Sequence, residues 1–80
     1  MASLDDVKKA IGSSLFFKDL SRFDPNARGV VVGDYLRVYD EGDSFRLRFL
    51  LGTPPSQRQP VTDRLRAAKI EFTQDKDFRL

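Results

Sequence analysis

The sequence predicts an α+β fold: a small two-layer domain running helix, antiparallel β-hairpin or meander, helix and final strand, with both helices packed on one face of the sheet. Three observations predict it. Residues 3–11, "SLDDVKKAI", repeat apolar side chains at helical spacing. Residues 35–49, "YLRVYDEGDSFRLRF", alternate apolar and polar side chains on either side of a glycine-containing turn. Residues 60–69, "PVTDRLRAAK", return to helical spacing before a short alternating "IEF".

The first helix starts at a capping box. Ser3 can accept from the third helical residue, Asp6, whose carboxylate reaches back to the cap, and Asp5 and Asp6 suit the positive end of the helix dipole. Leu4, Val7, Ile11 and Leu15 form one apolar stripe, with Lys8 and Lys9 opposite and Gly12 as a stop. The Phe-rich stretch that follows fits neither period, so Phe16, Phe17, Leu20 and Phe23 are expected to cross the core as a wrapping connection. "DPNARG" is a turn, and Val30 to Val32 open a strand that Gly33-Asp34 bulges or turns.

In the hairpin, a loop of Glu41-Gly42, or of Asp40 to Asp43, sets Val38 opposite Phe45 and Leu36 opposite Leu47. The reverse side then holds Arg37 opposite Arg46, Tyr35 opposite Arg48 and Tyr39 opposite Ser44. Leu36, Val38, Phe45 and Leu47 are expected to be buried with Val7, Ile11 and Leu65. "GTPPSQRQP" is a stiff polar linker, and Pro60 opens the second helix at its first turn. Val61, Leu65 and Ala68 form that helix's apolar stripe, and Ile70 to Phe72 the last strand. Residues 74–80 form a tail that is flexible or continues this strand through Phe78 and Leu80. Residues 1–80 are read as one domain.

This element order resembles that of double-stranded-RNA-binding domains. The second helix, however, opens with Pro60-Val61-Thr62-Asp63 where those domains carry a lysine cluster, and element order by itself assigns no function.

Composition narrows the chemistry. There is neither cysteine nor histidine, which removes disulfides, thiolate or imidazole nucleophiles and the usual zinc ligands. An apolar content of 40%, with seven Phe and two Tyr, is enough for a real core. No run approaches the ~20 apolar residues a membrane-spanning helix needs, so no membrane partner and a cytoplasmic location are expected. Fourteen basic against twelve acidic residues leave a net charge of +2, so the placement of charge matters more than its sum.

No catalytic set, metal site or cofactor motif is expected. Asp40, Glu41 and Asp43 sit on a hairpin tip, "GVVVGD" lacks the spacing of a phosphate loop, and the serines have no imidazole to activate them. What remains is a face. Tyr35, Arg37, Tyr39, Arg46 and Arg48 share the side of the sheet away from the helices, combining forked donors with flat rings. Arg58, Arg64, Arg66 and Lys69 form a second basic patch on the second helix.

The expectation is therefore a small non-catalytic binding module that docks an anionic partner, either an acidic protein surface or nucleic acid, through the Arg/Tyr face. The alternative is a stand-alone protein-interaction or inhibitor module using the Phe-rich 15–23 segment, the hairpin edge or the C-terminal tail.

Overall fold

A computed structural model of the chain describes residues 2–12 and 16–79. Helix α1 spans Leu4–Ile11, and its capping box is formed: Ser3 N–H donates to Asp6 Oδ2 at 2.8 Å, while Asp6 N–H donates to Ser3 Oγ at 3.3 Å. Val7 and Ile11 are its buried stripe. Leu15, assigned to the same stripe from sequence, lies outside the described residues, as does Leu80.

Five strands form one mixed sheet in the order β1-β2-β3-β4-β5: Phe17–Asp19, Gly29–Val32, Leu36–Asp40, Phe45–Phe49 and Phe72–Gln74. The first four pair antiparallel in sequence order. The last is parallel to β4, because helix α2 (Pro55–Ala67) carries the chain back between them. Both helices lie on one face, over a core of Val7, Ile11, Val30, Val32, Leu36, Val38, Phe45, Leu47, Phe49, Val61, Leu65 and Ile70. The fold class and this core match the sequence reading.

Several details differ from it, the last strand among them, which is Phe72–Gln74 where Ile70 to Phe72 is expected. The hairpin register is two residues away from the expected one: Leu36 faces Phe49, Val38 faces Leu47 and Arg37 faces Arg48. Asp40 stays in β3, its Oδ1 accepting from Gly42 N–H at 2.9 Å, and Glu41 N–H reaches Ser44 O across a four-residue loop. Because the pleat has a period of two, this slip leaves the side chains of β3 and β4 on their predicted faces. Tyr35 belongs not to β3 but to the turn before it, and its ring stacks on Phe49 on the helix side at 6.5 Å.

The Phe-rich stretch is not a simple wrap. Phe17 opens β1, an edge strand too short to show a period, and a 3-10 turn at Leu20–Arg22 follows. Leu20 is buried, whereas Phe16 and Phe23 are 70% and 49% exposed. Leu20 packs with Val31 and Tyr39 against the reverse face, forming a second small core there.

Helix α2 begins one turn earlier than predicted. Pro54 is its cap, Pro55 takes the first-turn role expected of Pro60, and Pro60 sits inside the helix. An interior proline costs a helix about 3 kcal/mol. The turn ahead of it is nevertheless held, because Arg58 donates to Thr53 O at 2.6 Å and to Asp77 at 2.8 and 2.9 Å. The buried residues of α2 are Val61, Thr62 and Leu65, and Ala68, expected on the stripe, is the exposed C-cap.

The tail is built into the sheet. Asp75 N–H donates to Leu47 O at 2.8 Å, Phe78 N–H to Phe49 O and Leu51 N–H to Phe78 O, both at 2.9 Å. Phe78 is 5% exposed.

Two backbone positions favour glycine, and only one of them has it. A Cβ on Gly29 (φ +157°) would lie 1.8 Å from Val38 O, so only glycine allows β2 to approach β3 there. Lys69 (φ +58°) occupies the left-handed position that ends α2, where Ile70 N–H bonds Leu65 O and Lys69 N–H bonds Arg66 O. This closing pattern favours glycine, since a side chain in that conformation costs about 1–2 kcal/mol. In urea denaturation, Gly29→Ala is expected to destabilise the protein by roughly 2 kcal/mol or more. Lys69→Gly should stabilise it by about 0.5–1 kcal/mol, the relieved strain less the added freedom of the unfolded chain.

Candidate partner-binding face

Alternation along β3 and β4 sends Arg37, Tyr39, Arg46 and Arg48 to the reverse face, with Arg37 opposite Arg48 and Tyr39 opposite Arg46. Like charges facing each other across a sheet cost about 0.2–1 kcal/mol. Of the three arginines on this face, Arg46 is offset by carboxylates from within the chain and Arg48 by a backbone carbonyl.

Arg46 donates from Nε to Glu41 Oε1 at 2.6 Å and from its fork to Asp75 Oδ2 at 2.7 Å. Its guanidinium lies 4.4 Å from the centre of the Tyr39 ring. Tyr39 itself is only 4% exposed, so its ring is packing material rather than an open stacking surface. Arg48 Nε donates to Lys76 O at 3.1 Å.

The second patch is similarly engaged. Arg58 holds Asp77 with two parallel bonds, and Arg64 donates to Ile11 O at 2.8 Å, closing the end of α1. Arg66 lies 3.6 Å from Asp63, with its guanidinium 5.4 Å from the Phe72 ring centre. Lys69 is exposed at the end of α2. Three of the four are thus engaged at separate places: the tail, the end of α1 and the surface of α2.

Two aspartates of the tail therefore act as built-in counter-ions. The bond from Arg46, and then the Lys76 backbone N–H, hold Asp75 below its ordinary value of 3.8. The bond from Arg58 does the same for Asp77. The arginines move the other way: Asp75 first and Glu41 second push Arg46 up, and Asp77 pushes Arg58 up. At the hairpin tip, Asp40 is also held low, by the Gly42 N–H first and by Arg28. Among the described residues, no group of three or more carboxylates converges as a metal site would require.

Arg37 differs. Among the described residues it forms no ion pair or hydrogen bond through its side chain. It lies instead against aromatic rings, 4.2 Å from the centre of Phe78 and 5.8 Å from that of Phe23. These residues, with Val31, Gly33 and Asp34, line a cleft of about 190 Å³. The sequence reading places Phe23 and Phe78 only within the alternative's Phe-rich segment and C-terminal tail, not with the Arg/Tyr face.

The chain matches no protein-family model, no curated protein and no solved structure. The local chemistry therefore has to carry the functional argument.

The tail pairs have a definite pH signature. Both aspartates have folded values below their unfolded ones, so their stabilisation is present above pH 3.8 and is lost as pH falls through the lower folded value. Asp77→Asn should lower the melting temperature at neutral pH. The difference from the parent should shrink towards zero in acid, once pH is below the folded value and both proteins lack the charge. Thermal melts followed by circular dichroism across this range check it, and an undiminished difference in acid would mean that the charge is not what matters.

Proposed function

We propose that this protein is a non-catalytic interaction module that docks an acidic partner protein on the reverse face of its sheet, centred on Arg37. The observation that carries this reading is the free fork of Arg37 at an apolar cleft, beside a half-exposed Phe23. Arginine and aromatic residues in such settings dominate the energetics of protein interfaces. The Arg face and the Phe-rich segment, two separate candidates in the sequence, meet at this cleft.

The non-catalytic part of the reading is supported by the direction of the titration shifts. Each shifted group is moved toward its charged form by a hydrogen bond, which is how structural ion pairs behave. No helix among the described residues is long and apolar enough to cross a membrane, and we take a cytoplasmic setting as part of the same proposal.

A second reading, nucleic acid as the partner, is favoured by one observation. Lys18, Arg37 and Arg48 lie in one row across β1, β3 and β4 on the reverse face, interrupted at β2 by Val31. We rank it lower, because Arg46 and Arg58 already hold carboxylates that a phosphate backbone would have to displace.

The test is a titration of the partner captured from the native host and identified, against three variants. Arg37→Ala and Phe23→Ala should each weaken binding by more than about 1 kcal/mol with little change in melting temperature. Arg46→Ala should instead lower stability, because it leaves Glu41 and Asp75 without their cation, and should affect binding less. An affinity indifferent to Arg37→Ala would overturn the proposal. Binding that needs nuclease-sensitive material and falls steeply with salt would favour the second reading.

A further inference from the structure

The geometry points to a definite ligand for the Arg37 cleft: a short extended peptide segment in which a large apolar side chain stands next to an aspartate or glutamate. This inference rests on the docking reading above and specifies what is docked. Three features lead to it.

Size comes first. About 190 Å³ is below the roughly 300–1,000 Å³ that small-molecule sites occupy, and it suits the insertion of a single side chain. Phe23, Val31 and Phe78 supply apolar walls for that side chain.

Charge comes second. The guanidinium has five N–H donors in one plane, and a carboxylate can take two of them in parallel. The nearby Phe23 and Phe78 rings constrain the Arg37 side chain without consuming its donors. The positive row is extended by Arg48 opposite Arg37 and by Lys18 on β1. Asp34, on the rim, opposes an incoming anion, but its side chain is 91% exposed and lies 4.0 Å from Lys18 Nζ. Its repulsion is largely screened.

The third feature is a precedent within the molecule. The tail already lays such a segment on this sheet. Asp77 is held by the fork of Arg58, and the next residue, Phe78, is buried with its ring against Arg37. One segment at this sheet edge thus sets a carboxylate in the fork of an arginine from α2 and, on the next residue, an aromatic side chain against Arg37 on the reverse face. The Arg37 cleft offers an arginine fork and apolar walls together to a segment from outside.

The test is an amide NMR titration of the full chain with three blocked tetrapeptides: Gly-Phe-Asp-Gly, Gly-Phe-Asn-Gly and Gly-Ala-Asp-Gly. The first should shift the amides of Phe23, Val31, Gly33 and Arg37, and the other two should bind about tenfold more weakly or worse. Arg37→Lys, which keeps the charge and loses the fork, should weaken the first peptide to a similar degree. Asp34→Asn should strengthen it. Equal binding of the Asn and Asp peptides, or shifts centred elsewhere, would overturn the assignment. So would a single-stranded oligonucleotide that shifts these amides more strongly than the peptide does. The two readings fail separately. If the natural partner depends on Arg37 while no peptide moves the cleft, the ligand class is wrong and the docking face stands. If the peptides bind as expected while the natural partner ignores Arg37→Ala, the docking reading fails.

Discussion

The pleat of β3 and β4 is the constraint on which the rest of the molecule depends. Successive residues of a strand must point to opposite faces, so placing Leu36, Val38, Phe45, Leu47 and Phe49 under the helices commits Arg37, Tyr39, Arg46 and Arg48 to the other side. Nothing in the apolar core can take up that charge. Parts of the chain outside the hairpin cover it: the 3-10 turn brings Leu20 over Tyr39, and the tail brings the Asp75 carboxylate to Arg46.

Magnitudes indicate which effects prevail on this face. Cross-strand repulsion between Arg37 and Arg48 costs about 0.2–1 kcal/mol, and exposed ion pairs contribute on the same scale. Arg46 faces Tyr39 rather than an arginine and holds two carboxylates, so it carries the favourable contacts without that cost. Read as a free surface arginine, it would have been expected to improve stability when removed. Its bonds to Glu41 and Asp75 reverse that sign. Among the described residues the Arg37 fork has aromatic rings beside it and no hydrogen-bond or ion-pair partner, and such ring contacts contribute about 0.5–1 kcal/mol each when exposed.

The tail also explains why the second helix starts where it does. Arg58 is the hub: it bonds Thr53 O ahead of the helix, grips Asp77 from the tail and lies 5.2 Å from the Phe49 ring centre in the core. Those contacts hold the turn from Pro55 to Gln59 helical despite Pro60, whose ring disfavours helix for the residue before it. Read locally, Pro60 marks a beginning. The long-range partners of Arg58 outweigh that preference.

What was legible along the chain was whatever depends on neighbours in sequence. The capping box at Ser3 and Asp6, the apolar stripe of α1, the two-residue period of the hairpin and the composition of the core all follow from spacing within a few residues. The alternation of β3 and β4 specified faces but not register, because a shift of two residues keeps every side chain on its side. That choice fell to the loop, where Asp40 stays in the strand with its carboxylate accepting from Gly42 N–H, so that the four loop residues are 41–44 and not 40–43. The fate of the charges lay further out. Arg46 meets Asp75 across twenty-nine positions and Arg58 meets Asp77 across nineteen, pairings that no local pattern encodes. Which arginine keeps its donors free is decided only when the sheet, the turn and the tail come together, because a counter-ion acts through space over a few ångströms, whatever its distance along the chain.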